Sequence, residues 1–147
     1  MKRPSLFAVS FAIFCLDRIT KYMALTFLQG GQSVSVVPGV FRITLVLNRG
    51  AAFGIFKGHA AVFSAVSVCV IALIVVYIMR PGALPSPKIS LPLAFILGGA
   101  LSNLADRLIF GHVIDFLDFR VWPVFNIADS AITIGALLLG WSILKEK

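Results

Sequence analysis

Residues Gly58–Met79 read GHAAVFSAVSVCVIALIVVYIM and contain no Asp, Glu, Lys or Arg over 22 positions. A helix needs roughly 20 such residues to cross the hydrocarbon core of a bilayer. The whole chain agrees, with a mean hydropathy of +1.00 and 13% charged residues, against about 25% in soluble domains. We therefore predict an integral membrane protein of mainly α fold, with residues 1–147 as one membrane domain.

Three further apolar segments predict spanning helices, at about residues 5–28, 89–107 and 124–144. The first contains Asp17 and Lys21, so it spans only if its polar face is turned inward. These two residues stand four apart, on one helix face, where they can pair. Both a structural ion pair and a part in chemistry stay open for them.

The segment between the first two spans changes character. Apolar residues alternate with polar or smaller ones from Val34 to Leu47, on both sides of Pro38-Gly39, which is typical of a hairpin. We predict a small extramembrane β-sheet over about residues 32–56. Residues 48–54, NRGAAFG, either let the backbone approach something closely or form only a turn back to the membrane.

Basic residues orient the predicted bundle. Four spans put both termini on one face, and cytoplasmic flanks carry an excess of Lys and Arg. The terminal face carries Lys2, Arg3, Arg80, Lys88, Lys145 and Lys147, and the other face carries Arg42, Arg49, Lys57 and Arg120. We predict cytoplasmic termini. The net charge of +7 does not indicate a nucleic-acid partner, because the basic residues are scattered without interleaved aromatics.

Three of the five aspartates fall between Gly111 and Ser130, in the connection to the last span: Asp115, Asp118 and Asp129. Asp129 lies inside the last apolar segment, where a charge costs roughly 2.5 to 3.5 kcal/mol, so it is a functional-site candidate. The structural alternative is a residue at a helix N-terminus, with Pro123 as the first-turn proline. Asp118 is most simply part of a wet loop.

Polar residues from four stretches map to the outer interface of this bundle: Asn48, Asn103, Arg107, Asp115, Asn126 and Asp129. If Asp115 and Asp129 meet in a partly dry cleft, they tend to share one proton. One can then act as base toward water while the other donates to a carbonyl oxygen. No zinc motif or serine-hydrolase motif is present, so we expect no metal and no cofactor. A proton-coupled transporter and a non-catalytic scaffold remain competing interpretations.

Four motifs resemble, in order and spacing, the conserved boxes of bacterial lipoprotein signal peptidase, or signal peptidase II, an aspartic peptidase family (A8). They are DRITK at 17–21, NRGAAF at 48–53, GGALSNLADR at 98–107 followed by VIDF at 113–116, and FNIADS at 125–130. Each is weak alone, but four in sequence are highly specific. The resemblance covers essentially the whole chain.

The resemblance implies a metal-independent endopeptidase of the bacterial inner membrane, with its active site near the outer face. Its partners would be prolipoproteins, cut before a diacylglyceryl-modified cysteine, together with membrane lipids and the inhibitor globomycin. Asp115 and Asp129 match the catalytic pair. The matching substrate-binding or supporting positions are Asn48, Gly50, Asn103, Arg107 and Asn126, with Asp17 and Lys21 in support and Gly99 at a close-packing position.

Two residues depart from the expected pattern. Ser102 stands where glycine is expected, and Ala105 is smaller than the usual apolar residue. Both changes concern the packing of the third helix and leave the aspartate pair intact.

Overall fold

The computed structural model describes residues 3–28, 32–50, 60–80 and 86–145. Within these ranges the elements follow the order α1 (Arg3–Phe27), β1 (Ser33–Val37), β2 (Phe41–Asn48), α2 (Ala60–Met79), α3 (Pro87–Phe110), β3 (Val113–Asp118) and α4 (Ile127–Lys145). The strands form one antiparallel sheet in the order β1-β2-β3. The described chain is therefore mainly helical with a small sheet, as predicted.

Three of the described helices, α2, α3 and α4, are long and apolar enough to cross a membrane. The fourth described helix, α1, is less apolar than these three, because its centre carries Asp17, Arg18 and Lys21. The side chains of Asp17 and Lys21 are fully buried in the protein. The polar face of α1 is thus turned inward, as a helix in lipid requires.

Helix α3 lies at the centre of the bundle, and small residues bring its backbone close to those of α1 and α4. A Cβ added at Gly98 would lie 2.5 Å from the carbonyl oxygen of Ser10 on α1. A Cβ at Gly99 would lie 2.5 Å from the carbonyl oxygen of Ala128 on α4. The predicted close-packing role of Gly99 therefore has a specific partner, the first turn of α4.

The two helix boundaries next to the cavity differ from the prediction by three residues each. Helix α3 continues to Phe110 and ends at Gly111, whose φ of 72° and N–H bond to the Arg107 carbonyl form a left-handed cap. Helix α4 begins at Ile127, not near residue 124, so the interpretation of Pro123 as a first-turn proline is wrong. Asn126 precedes the helix instead, with a side chain better suited to capping.

The sheet contains a strand that the sequence did not predict. Strands β1 and β2 form the predicted hairpin around Gly39, which has a φ of 78°. The third strand, β3, occupies a stretch expected to be a connecting loop. Asp118 belongs to this strand and accepts a hydrogen bond from Thr44 Oγ1 at 3.1 Å, so its assignment to a wet loop is wrong. Residues 51–56 of the predicted β segment lie outside the described residues.

Apolar contacts join the sheet to the bundle. Phe116 on β3 is buried against Ala24 and Leu28 at the end of α1. Side chains alternate across a strand, so the neighbouring Asp115 points to the opposite face. Packing of Phe116 onto α1 therefore directs Asp115 toward the ends of α3 and α4.

Candidate active site

A cavity of about 160 Å³ lies between the sheet, the C-terminal end of α3 and the N-terminal end of α4. It is lined by Asn48, Gly50, Arg107, Val113, Asp115, Trp122, Pro123, Val124, Phe125 and Asp129. Both candidate catalytic aspartates border it, although they reach it from different kinds of element. Asp115 comes from the middle of a strand, and Asp129 from the first turn of a helix.

Asp115 is almost fully enclosed, with 1% of its surface exposed. Its Oδ1 accepts a hydrogen bond from Asn126 Nδ2 at 2.7 Å, and its Oδ2 accepts one from Asn48 Nδ2 at 2.9 Å. Burial, followed by the negative charge of Asp129, raises the pKa of Asp115 from 3.8 to about 7. The two amide hydrogen bonds and the charge of Lys21 oppose this rise. Asp115 is therefore poised to exchange a proton near neutral pH.

Asp129 takes part in a reciprocal cap at the start of α4. Its N–H donates to Asn126 Oδ1 at 2.8 Å, while the Asn126 N–H donates to Asp129 Oδ2 at 3.3 Å. This is the arrangement of a capping box. Its other oxygen, Oδ1, accepts a hydrogen bond from Asn103 Nδ2 at 2.8 Å. The helix-terminus alternative for Asp129 is thus realised, and the same carboxylate also borders the cavity.

Two buried amides link the aspartates. Asn126 Nδ2, besides its bond to Asp115, lies 3.2 Å from Asn103 Oδ1 and 3.3 Å from the Ile114 carbonyl oxygen. Asn103 in turn donates to Asp129. The hydrogen bonds of these amides therefore fix both carboxylates with respect to α3 and β3.

An ion network lies behind the amides. Lys21 Nζ is 2.6 Å from Asp17 Oδ2 and 2.7 Å from Asp106 Oδ2, and all three side chains are fully buried. Arg18 forms an ion pair with Asp106. The predicted pairing of Asp17 with Lys21 is confirmed. The part played by Asp106 and Arg18 was not predicted, because it depends on how α1 and α3 are rotated against each other.

Asp17 also explains the unexpected serine. Its Oδ2 accepts a hydrogen bond from Ser102 Oγ at 2.6 Å, and its Oδ1 accepts one from the backbone N–H of Ala128 at 2.8 Å. The bond to Ala128 places a carboxylate at the N-terminus of α4, where the helix dipole favours negative charge. Ser102 therefore adds a buried hydrogen bond between α3 and α1.

Backbone and cationic groups complete the cavity wall. The Gly50 N–H donates to Asn48 Oδ1 at 3.0 Å, which fixes the amide that faces Asp115. Arg107 is held by α2, because its guanidinium lies 3.5 Å from Ser67 Oγ and 5.7 Å from the centre of the Phe63 ring. Trp122 lines the same cavity.

A family model described as signal peptidase (SPase) II matches residues 9–145 of the chain. The chain belongs to the signal peptidase II family. The lipoprotein signal peptidase of Pelotomaculum thermopropionicum is 43% identical over 143 residues, covering 96% of this chain and 92% of the relative. That of Moorella thermoacetica is 46% identical over 132 residues, covering 90% and 87%.

Solved structures agree with this assignment. A bacterial membrane enzyme solved at 2.3 Å has a TM-score of 0.89 and 31% identity, over 98% of this chain and 90% of that one. Membership of the signal peptidase II family makes the chain a multi-pass membrane protein and an aspartic endopeptidase that removes signal peptides from prolipoproteins. The predicted family and activity are confirmed. The roles of individual site residues stay predictions.

Proposed function

We propose that Asp115 and Asp129 are the catalytic pair, and that the enzyme cuts immediately before a diacylglyceryl-modified cysteine. The observation that carries the assignment of the pair is that both carboxyl groups border one cavity. The other three described aspartates lie elsewhere: Asp17 and Asp106 are in the ion network, and Asp118 faces Thr44.

In this proposal the pair holds one proton at rest, and Asp115 carries it. The raised pKa of Asp115 supports this choice. Asp129 lies in the first turn of α4, where the positive end of the helix dipole favours its ionised form, whereas Asp115 lies on a strand and has no such dipole beside it. The two carboxyls thus have different environments and different tasks.

Hydrolysis then proceeds in two proton-balanced steps. Asp129 removes a proton from water as the water oxygen attacks the scissile carbonyl carbon, and Asp115 donates its proton to the carbonyl oxygen. The tetrahedral diol collapses when Asp115 takes back a hydroxyl proton. Asp129 passes its proton to the leaving nitrogen as the C–N bond breaks. The resting state returns with the proton on Asp115.

The remaining cavity residues bind and position in this proposal. Asn48 and Asn126 hold Asp115 by hydrogen bonds, and Asn103 holds Asp129. Arg107 supplies the positive charge of the cavity wall, and Gly50 leaves room for substrate backbone. Asp17 and Lys21 support the site from behind.

The proposed setting is the bacterial inner membrane with α1 as a fourth span. The buried charges of α1 support this placement, because its outward face is apolar or neutral at Phe11, Leu16, Ile19 and Tyr22. With cytoplasmic termini, the ends of α3 and α4 that border the cavity lie near the outer leaflet. A signal peptide could then enter sideways from the bilayer.

The experiment is cleavage of a diacylglyceryl-modified prolipoprotein by the purified protein, with and without a chelator. Asp115→Asn and Asp129→Asn should each lose cleavage while staying folded. Asp118→Asn is the matched control, since it alters a neighbouring carboxylate of β3 that does not line the cavity, and it should cleave normally. Cleavage by either cavity variant at a near wild-type rate would remove that aspartate from the catalytic pair.

Two further arms test substrate and inhibitor. The same prolipoprotein without its diacylglyceryl group should be cut far more slowly, and globomycin should inhibit the wild-type enzyme. Equal cleavage of modified and unmodified substrate contradicts the lipid requirement without affecting the assignment of the aspartates.

A further inference from the structure

A second cavity, of about 330 Å³, lies at the opposite end of the bundle from the aspartates, between the start of α3 and the end of α4. Its lining combines two lysines, Lys88 and Lys145, with Trp141 and the apolar side chains of Leu91 and Leu138. The active-site chemistry uses none of these residues. We propose that this cavity binds an anionic phospholipid, with the headgroup between the lysines and an acyl chain along the leucines.

The polar mouth of the cavity is a built feature of the two helices. Ser142 Oγ lies 3.0 Å from the carbonyl oxygen of Lys88 and 2.8 Å from that of Leu138, so its one hydroxyl proton is shared between the first turn of α3 and its own helix. The ammonium of Lys145 lies 4.7 Å from the centre of the Trp141 ring, a cation–π distance. One lysine is thus held over an aromatic surface, with Lys88 on the facing helix.

Charge at this end of the bundle favours an anion. The described basic residues here are Arg3, Arg80, Lys88 and Lys145, whereas all five aspartates lie in the half of the molecule that contains the active site. The N-terminus of α3 and the C-terminus of α4 meet at the cavity, so their opposite dipole charges largely cancel. The lysines therefore supply its net charge.

The apolar wall identifies the anion as a lipid. Leu91 is 40% exposed, Leu138 is 39% exposed and Trp141 is 61% exposed. These side chains belong to spanning helices, so they face acyl chains rather than water. Basic pockets between helices at the cytoplasmic side of a membrane are typical sites for anionic headgroups. The lipid site stands without the proposed catalytic mechanism; only its place in the cytoplasmic leaflet rests on the proposed orientation.

The test uses the full chain in phosphatidylcholine nanodiscs that contain a minor fraction of lipid brominated near the headgroup. Bromine quenches nearby tryptophan, and subtracting the signal of Trp141→Phe isolates Trp141 from Trp122. Brominated phosphatidylglycerol should quench Trp141 more than brominated phosphatidylcholine at the same mole fraction. Each lysine should enrich the anionic lipid about fivefold, from roughly 1 kcal/mol per charge.

Charge variants separate a site from a general surface potential. Lys88→Gln with Lys145→Gln should reduce quenching by phosphatidylglycerol to the level of phosphatidylcholine. Arg3→Gln with Arg80→Gln removes the same charge from the same end but outside the cavity, and should keep the difference. Equal quenching by both lipids in the wild type overturns the proposal. Equal loss in both double variants does so too, because it reveals only a diffuse positive surface.

Discussion

Lys21 Nζ donates to Asn103 Oδ1 at 2.9 Å, and the nitrogen of the same amide donates to Asp129 at 2.8 Å. An ammonium group cannot accept a hydrogen bond, so Lys21 fixes which end of the Asn103 amide faces Asp129. Asn126 Nδ2 adds a second donor to the same oxygen at 3.2 Å. The ion network behind the cavity is therefore connected to Asp129, one of the proposed catalytic pair, through the oriented side chain of Asn103.

We expect Lys21→Met to lose both stability and activity. The substitution leaves Asp17 and Asp106 with one cation for two buried carboxylates, and an unpaired buried charge costs about 3–5 kcal/mol. Adding Asp17→Asn rebalances the charge, so the double variant should recover much of the lost stability. Its kcat should still be at least about tenfold low, roughly 1.4 kcal/mol in the barrier, because Asn103 lacks its cationic donor. Recovery of kcat together with the melting temperature would mean that Lys21 only stabilises the fold.

The pH profile should report the proton on Asp115. Its pKa is raised to about 7, so the acid form is present below that pH and is lost above it. The value of kcat/KM, expressed relative to its maximum across the pH range, should therefore fall as pH rises through about 7. Asn48→Ala removes a hydrogen bond that lowers this pKa, so the falling limb should move to higher pH.

Thr44→Ala is the matched control for the pH experiment. Thr44 lies on the same strand as Asn48 but donates to Asp118, which is outside the cavity. Its falling limb should coincide with that of the wild type. A limb that stays in place in Asn48→Ala, or moves to lower pH, contradicts the assignment of the acid to Asp115.

Gly99→Ala should destabilise the bundle. The new Cβ would meet the Ala128 carbonyl oxygen at 2.5 Å and Ile132 Cγ1 at 2.9 Å, and the backbone carbonyl cannot rotate away. Overpacking of this kind costs about 1–3 kcal/mol, measured as a lower melting temperature in detergent. Gly140→Ala is the control, since nothing lies within 4 Å of its added Cβ, and it should be neutral or gain up to about 1 kcal/mol in helix propensity. Equal effects at both positions would rule out close packing as the cause.

Ser102→Ala should also lower stability, by about 1.5–3 kcal/mol, the range for a hydrogen bond to a charged group. It removes the 2.6 Å bond to Asp17, which is buried between α1 and α3. Thr26→Ala makes a useful comparison, because Thr26 is exposed and donates to the Tyr22 carbonyl of its own helix. Matching melting temperatures for the two variants would show that the Ser102 bond contributes nothing beyond an ordinary surface hydroxyl.

Sequence patterns predicted the helices because lipid demands long uncharged segments, and α2 meets that demand without exception. They predicted the β1–β2 hairpin because alternation survives there. Strand β3 was not predicted, because four successive residues, Val113 to Phe116, are buried and both faces of the strand are covered. A strand covered on both sides loses the period of two by which strands are recognised.

The candidate site was likewise predicted only in part from the sequence. Asp129 stands out because a carboxylate in an apolar segment is costly. The pairing of Asp129 with Asp115 and the support from Asn103 depend on tertiary packing. For these, the prediction relied on the resemblance to the signal peptidase II family. The link from Asp106 to Lys21 could not be predicted from the sequence, since nothing local specifies which faces of α1 and α3 meet. The hydrogen bond of Ser102 could not be predicted either, because its partner Asp17 lies 85 residues away in the sequence.

Asp115 lies on β3, and successive side chains of a strand point to opposite faces of the sheet. The register of β3 therefore decides whether the Asp115 carboxylate faces the cavity or the opposite side. Val46 opposite Asp115 and Asn48 opposite Val113 fix the present register. A slip of one residue would present Ile114 or Phe116 to the cavity and turn the carboxylate toward α1. Sliding of the strand thus cannot change the separation of the two aspartates by small amounts, because each one-residue step moves Asp115 to the other face of the sheet. Inserting one residue in β3 before Asp115 should therefore turn the carboxylate away from the cavity, whereas inserting two should keep it on the cavity face.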